Sequence, residues 1–393
     1  MILRMDLVQK QNKINIMKVL HSISSLNATS GGPSTCTYDL LKYLQSTNIE
    51  AHLVTLKSGK QDLGKDVQWS TFLDNDVFTP IGFSDNLRKY LQSVKVDIIH
   101  TNGLWSYCNH ISARIAREKN IPFVLTPHGM LIENALKRHY WKKKPLLKLW
   151  FYRDIASAAC LHATCKAEME SIRNFGYKGP IAVIPNPMPP IKWIDSITEN
   201  HSIKRIGFLG RLHPVKNVDK LIGAWEQLDS KVAESELVLM GGGTPQYEKY
   251  LRELAAKCRY GKITFRGFVN GRDKFQELAN LSALCLVSDF ENFGMTVTEA
   301  LSVGTPVIAN LTTPWKDLND YECGWWIDAT VDNIAVAIEK VLNLSDEDKD
   351  RLGTNGKKLI ANKYAADKVA EMMVTLYKWL MGECDKPEFV YTL

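Results

Sequence analysis

Two glutamates, Glu291 and Glu299, stand eight positions apart in the stretch Ser288 to Ile308, with Gly294 between them. A helix opened by Gly294 leaves the amides of about its first four residues unpaired and carries partial positive charge at that end, so it can receive an anion. Phosphate is the anion this reading expects. Glu291 then lies at the mouth of the site and Glu299 about two turns into the helix, at about 3.6 residues per turn, so the two carboxylates reach different parts of one extended ligand. Cations come from a second pattern, Gly210-Arg211 followed by Lys216. A guanidinium fork and an ammonium point charge compensate a diphosphate without a metal. His128, inside Thr126-Pro127-His128-Gly129-Met130, and the glycine pair Gly31-Gly32 complete the set of residues that could bind or turn over such a ligand.

These residues need elements to position them. Ala283 to Val287 is a bounded apolar run suited to a buried parallel strand, and Gly304-Thr305-Pro306-Val307 leads into the next. Similar runs recur at Ile14 to Ile23, Ala51 to Leu56, Asp97 to Thr101, Pro122 to Thr126, Leu161 to Thr164, Ile181 to Pro185, Arg205 to Leu209 and Glu236 to Met240. Helical patterns lie between them, including Tyr38 to Leu44 and Ile111 to Lys119. That alternation predicts doubly wound parallel sheets, on which ligands gather at the carboxyl ends of strands. Gly32, His128, Arg211 and Glu291 all follow such ends. The proline-dense Pro185 to Pro190 can hardly be regular structure. It divides the chain into a first domain over 1–190, a linker over 191–202, a second domain over 203–365 and a last helix within 366–393.

The glutamate pair around Phe293-Gly294-Met295, followed by Gly304-Thr305-Pro306-Val307, resembles the donor-site signature of retaining glycosyltransferases of GT-B fold, family 4 (group 1). Arg211 and Lys216 occupy the family's R-x4-K position, and the resemblance runs roughly from Ile14 to Leu380. It implies an α/β architecture of two Rossmann-like domains facing across a cleft, with the last helix crossing back to the first domain. It also implies transfer of a sugar from a nucleotide diphosphate, a UDP-sugar ahead of a GDP-sugar, to a hydroxyl with retained anomeric configuration. Glu299 would hold the donor ribose. Glu291 and the backbone at Phe293, Gly294, Met295 and Thr296 would hold the sugar. Arg211 and Lys216 would stabilise the leaving diphosphate beside Gly210, and His128 would meet the donor sugar. Gly31 and Gly32 would face the diphosphate and the acceptor, while Gly241, Phe268 and Val269 would border the nucleoside. No nucleophile is identified, so front-face attack is the expected mechanism. Where the family has glycine after Pro185-Asn186, this chain has Pro187. Thr126 to Leu131 with the basic segment beyond it looks like bacterial enzymes of O-antigen, capsule or exopolysaccharide assembly, which implies a glycan or lipid-linked acceptor. A GT-B sugar-nucleotide epimerase and a non-catalytic nucleotide-sugar-binding module are the alternatives.

At 393 residues the chain is long enough for two cores. A net charge of +6 is too small to argue nucleic-acid binding. The eight cysteines form no C-x2-C pair, which points to a reducing compartment and away from a zinc site. The opening residues Met1 to Lys13 lack the apolar core of a signal peptide, and no uncharged apolar run reaches about 18 residues. A cytoplasmic protein is expected, peripheral on the inner face of the cell membrane. Neither cofactor nor metal is expected, and Asp74-Asn75-Asp76 reads as a turn rather than a metal motif. Asn134 to Arg153 holds seven Lys or Arg, no Asp or Glu, and interleaved aromatics. Residues 137–153 have two readings. In one, Pro145 starts a helix that sets Leu146, Leu149 and Trp150 on one side, with Leu147 beside them and Lys148 toward the other, against an anionic membrane. In the other, the helix packs on the first domain and its lysines are merely solvated.

Overall fold

The computed structural model describes residues 16–27, 31–59, 62–74, 81–138, 140–200 and 202–393. Seven strands build the first sheet: β1 (Met17–Ile23), β2 (Ile49–Leu56), β3 (Ser70–Leu73), β4 (Ile98–Asn102), β5 (Phe123–Thr126), β6 (Cys160–Ala163) and β7 (Ile181–Val183). Six build the second: β8 (Lys204–Leu209), β9 (Ser235–Met240), β10 (Lys262–Gly267), β11 (Ala283–Leu286), β12 (Val307–Asn310) and β13 (Gly324–Ile327). A short β14 (Val390–Tyr391) returns antiparallel to β7, and the other pairings are parallel. The strand orders are β14-β7-β6-β5-β4-β1-β2-β3 and β10-β9-β8-β11-β12-β13. In each sheet the winding reverses once, between β1 and β4 and between β8 and β11. Such switch points open a crevice at the strands' carboxyl ends.

Several elements extend beyond what the sequence signals gave. β1 starts at Met17, with Ile14 outside the described residues. The first helix runs from Gly32, not Tyr38, because Gly31 takes a φ of 93° as its cap and Pro33 sits in the first turn, where its missing N–H costs nothing. The helix expected from Ile111 starts at Tyr107, capped by Ser106 accepting from the Asn109 amide at 3.3 Å. Asn75 and Asp76 lie outside the described residues, and Asp74 is exposed and paired with Lys57 at 2.9 Å.

The basic segment departs most. A helix Tyr140–Leu146 continues through a wider π turn, Leu147–Phe151, into Tyr152–Ala156, so Pro145 is inside the helix and does not start it. The wide turn follows where the proline ring and its missing N–H interrupt the regular ladder. This rotates the helix. Leu147 and Phe151 enter the first domain's core beside Leu125, Leu131 and Leu161, while Leu149, expected on the apolar side, is 71% exposed.

Helix Ala366–Leu380 packs against the first domain, its Val369, Ala370, Met373 and Tyr377 in one core with Leu40, Leu41 and Leu44. The buried Tyr377 hydroxyl bonds His100 Nδ1 at 2.6 Å and His21 Nε2 at 2.9 Å. Where the chain crosses between domains its two strands touch: Met188 N donates to Tyr364 O at 2.8 Å and Ala366 N to Met188 O at 3.2 Å. Among the described residues no helix is long and apolar enough to cross a membrane.

Candidate active site

The second domain builds its wall from the loops after β8 and β11. After β8, a 3-10 turn Pro214–Lys216 ends at Asn217, whose φ of 53° is left-handed. Asn217 Nδ2 donates to Val287 O at 3.0 Å and to Asp289 Oδ1 at 2.5 Å, and Asp289 N donates to Val215 O at 2.9 Å, so the two loops are tied edge to edge. That tie sets Lys216 against Glu291. The two form a largely buried ion pair, and Glu291 also accepts from Ser288 Oγ at 3.0 Å. Arg211 is exposed on the cleft and has no carboxylate partner among the described residues.

Gly294 caps helix Met295–Ser302 at a φ of 85°. A Cβ there would lie 2.9 Å from Leu286 Cδ2 and 3.2 Å from Trp315 Nε1, so backbone strain and crowding both require glycine. The loop is held from below: buried Trp315 donates its indole N–H to Phe293 O at 2.6 Å, and Phe293, Trp315 and Tyr364 form a cluster of rings with centroids 5.3 to 5.7 Å apart. The helix's first amides therefore face the cleft in a fixed direction.

The first domain supplies the facing wall. His128 follows β5 with a φ of 50°, a left-handed conformation that costs energy for a side chain of this size. Its ring meets Asn102 Oδ1 at 3.3 Å. Burial, then the nearby His162, hold the His128 pKa far below its ordinary value, so the ring is neutral at pH 7. Buried Glu168 fixes the turn: it accepts from Gly129 N at 2.5 Å, Thr164 N at 2.7 Å and Thr164 Oγ1 at 2.8 Å. Asn292 reaches over from the second domain and donates to Thr164 Oγ1 at 3.1 Å, while Cys165 Sγ donates to Asn292 O at 3.2 Å. Glu168, Thr164 and Asn292 escaped the sequence reasoning. Nothing in the spacing links residues more than a hundred positions apart.

Between the walls lies a cleft of about 800 Å³. It brings together Gly32, His128, Gly210, Arg211, Lys216 and Glu291, along with Phe293, Gly294, Met295 and Thr296. It also takes in Trp105, which the sequence did not assign, and Arg138 and Lys143, which the sequence placed in the basic segment read as membrane-facing or merely solvated.

The other candidates stand apart from its lining. Glu299 pairs with Lys274 at 2.6 Å and faces Asp39 of the Gly32 helix. Burial first and Glu299 second push the Asp39 carboxyl up to about 7. Gly31 is exposed at the cap, one residue outside the lining. A Cβ on Gly241 would lie 1.8 Å from Gly210 O, so this glycine admits the neighbouring loop's backbone, a close approach the sequence reserved for a nucleoside. Phe268 is 80% exposed and Val269 packs on the core of the second domain.

Comparison with known proteins bears on the family and the fold. Residues 30–190 match the family model for Glycosyltransferase Family 4, and residues 191–359 match that for Glycosyl transferases group 1. An uncharacterized glycosyltransferase of Methanocaldococcus jannaschii is 25% identical over 365 residues, 88% of this chain and 89% of its own. A GDP-mannose-dependent alpha-(1-6)-phosphatidylinositol monomannoside mannosyltransferase of Mycobacterium tuberculosis is 30% identical over 175 residues, 41% of this chain and 44% of its own. Among solved structures, sucrose-phosphate synthase of Thermosynechococcus elongatus superposes with a TM-score of 0.73 at 17% identity, covering 94% of this chain and all of that one. Anabaena HepE in complex with UDP and glucose gives 0.70 at 17%, covering 92% of this chain and all of that one. At such identities the structural likeness bears on the fold, which is GT-B: two parallel-sheet Rossmann-like domains across a cleft. The two family matches adjoin at the domain crossing and together span both walls of the site, and the chain belongs to the group 1, family 4 glycosyltransferases.

Proposed function

We propose that this glycosyltransferase moves a hexosyl-type sugar from a nucleoside diphosphate to a hydroxyl of a glycan or lipid-linked glycan, with retained anomeric configuration, in synthesis of a cell-surface polysaccharide such as O-antigen. One observation carries the reading: Arg211, Lys216, Glu291 and the amide end of the Gly294 helix converge on one cleft at the switch point of the second sheet. A diphosphate laid there meets a guanidinium, an ammonium and unpaired backbone N–H groups, which suit charge that grows on a leaving group. UDP is favoured over GDP by the UDP bound to the structurally similar Anabaena HepE, although the mycobacterial relative is GDP-mannose-dependent.

In the proposed step the acceptor oxygen bonds to the anomeric carbon on the face from which the diphosphate departs. The bond from that carbon to phosphate oxygen breaks, and a phosphate oxygen receives the acceptor proton. Arg211 and Lys216 bear the charge, so no metal is required. The neutral His128 ring hydrogen-bonds the sugar and moves no proton. Glu299 holds the ribose, with its Lys274 partner giving way or sharing the carboxylate, Gly31 and Gly32 face the diphosphate and the acceptor, and Phe268 and Val269 border the nucleoside.

Arg211→Ala and Glu299→Ala should each lose at least about tenfold in transfer, about 1.4 kcal/mol, while remaining folded. Folded variants with normal activity would remove this site. Proton NMR of early product should show the donor's own anomeric configuration, and inversion would reject the mechanism. Nucleotide release in proportion to glycoside separates a transferase from an epimerase or an inert binding module. Membrane attachment is part of the proposal. Exposed Trp141 and Leu149 stand beside Lys142, Lys144 and Lys148 on the outer side of the basic helix, a pattern suited to the headgroup boundary. Lys143, expected with Lys142 and Lys144 at that boundary, lines the cleft.

A further inference from the structure

The cleft carries cations on both walls, and a single nucleoside diphosphate accounts for those of one wall. Arg211, Lys216 and the Gly294 helix belong to the second domain, where the diphosphate is placed above. Arg138 and Lys143 face them from the first.

Neither Arg138 nor Lys143 has a carboxylate partner among the described residues, although nearby Lys137 is paired with Glu133 at 2.6 Å and Arg117 with Asp154 at 2.7 Å. Lys143 is not a loose surface lysine. It is partly buried, donates to Ala135 O, and lies 5.5 Å from the centre of the Trp105 ring. Trp105 takes a left-handed backbone conformation, φ 69°, and its ring packs edge-on against the buried Phe151 at 5.5 Å. Burial first, then Arg138, lower the Lys143 pKa, and across the cleft burial and then Arg138 lower that of His213. Arg138 is therefore close enough to act on both walls. Two like charges held this way, with one desolvated, oppose each other until an anion lies between them.

We propose that Trp105, Arg138 and Lys143 form a subsite for an anionic acceptor, a sugar that carries phosphate or diphosphate near the hydroxyl that is glycosylated. The ring of Trp105 gives a flat apolar face for the sugar, and the two cations take the phosphate oxygens. The assignment rests on the donor lying against Arg211 and Lys216. It adds that the acceptor is charged, and it fixes which wall receives the charge.

The test is calorimetric titration of the full chain. Wild type saturated with UDP is titrated with glucose 1-phosphate, with citronellyl diphosphate, and with methyl glucoside as the uncharged control. At least one phosphorylated probe should bind about tenfold or more tightly than methyl glucoside, and R138Q and the double variant R138Q/K143Q should lose about that factor. UDP affinity should stay within about twofold of wild type, because the donor's cations are untouched. R138Q alters an exposed side chain, so it remains readable if the double variant misfolds. Binding of glucose 1-phosphate alone assigns a soluble sugar phosphate, and binding of the diphosphate alone a lipid-linked acceptor. Equal binding of charged and neutral probes, binding of neither phosphate, or equal loss of UDP affinity in R138Q overturns the proposal. If neither UDP nor GDP binds wild type, the donor reading fails by itself. The phosphate titrations on the protein without nucleotide then still decide the pair.

Discussion

Glu168 makes the sharpest test of how the site is held, because a single isosteric change removes a defined bond. In Glu168→Gln the side chain keeps its shape but presents one acceptor and one NH2 where the carboxylate presents two acceptors. The carboxylate receives Gly129 N, Thr164 N and Thr164 Oγ1. The Thr164 hydroxyl can turn to accept from an NH2, but a backbone N–H cannot. One buried amide, of Gly129 or of Thr164, is left without its partner, at about 1–3 kcal/mol, and the remaining bonds lose their charge assistance. Removing a buried charge returns part of this, since burial raises the Glu168 pKa against the pull of its donors. The net expectation is a loss of about 2 kcal/mol. For a domain of this size that lowers Tm by about 4–8 °C. The unclamped His128 turn relaxes from its left-handed conformation, so transfer should fall at least about tenfold while UDP affinity stays within about twofold. Thr164→Val, which keeps the backbone amide bond, should cost about 1 kcal/mol. Thermal scans, initial rates and UDP titration read all three quantities. A Glu168→Gln protein with wild-type Tm and rate would refute the clamp, and loss of UDP affinity in step with rate would mean general unfolding.

Four further outcomes follow from other parts of the structure. Asp39 has a folded pKa near 7, above its ordinary 3.8, so its contribution to stability is present below about 3.8 and is lost as pH rises through 7. Asp39→Asn should flatten the fall in Tm between the ordinary 3.8 and about 7, and an unchanged slope there would show that the carboxyl is not the cause. Burial lowers His21 to about 3 and His162 to about 4, so stability present above the ordinary 6.5 is lost as pH falls toward those values; Tyr377→Phe, which strips partners from His21 and His100, should cost about 1–3 kcal/mol at neutral pH. EDTA should leave transfer unchanged, and abolition restored by magnesium or manganese would contradict charge compensation by Arg211 and Lys216. In vesicle flotation, K142E/K144E/K148E should bind anionic liposomes at least about tenfold more weakly than wild type at low salt, and equal partitioning would leave only a packed helix.

The second domain's part of the cleft was legible because its residues are local. Glu291, Gly294 and Arg211 follow strands whose apolar runs are plain, and a strand, a turn and a helix fix the direction of a side chain within a few positions. The Rossmann-like alternation and the two-domain plan were legible for the same reason. The first domain's wall was not, because it depends on long-range contacts: Glu168 reaches back to Gly129, and Asn292 crosses to Thr164. In the basic segment a single proline defeated the periodicity, since the wide turn after Pro145 shifts the buried positions to Leu147 and Phe151 and turns Leu149 outward. That rotation also decides which lysine faces the cleft. Glycine was informative about strain and ambiguous about its cause, as Gly241 shows by admitting Gly210 O.

The domain crossing and the Gly294 loop are one packed unit. Tyr364 ends the segment that crosses between domains, its backbone oxygen accepting from Met188 of the other crossing. Its ring lies 5.7 Å from that of Phe293 and 5.3 Å from that of Trp315, and its hydroxyl donates to Asp317 at 2.7 Å. Trp315 in turn holds the Phe293 carbonyl next to Gly294. A rotation of one domain on the other bends the chain at Met188 and Ala365, and close-packed rings cannot absorb such a bend without moving together. The amides at the start of the Gly294 helix are therefore carried by the same cluster that such a rotation would move. Asn292 makes the connection from the opposite side, since it is adjacent to Glu291 and bonded to Thr164 of the first domain. The alignment of the loop with His128 is thus held by contacts from both domains, and the rate of Glu168→Gln measures whether that clamp bears on transfer.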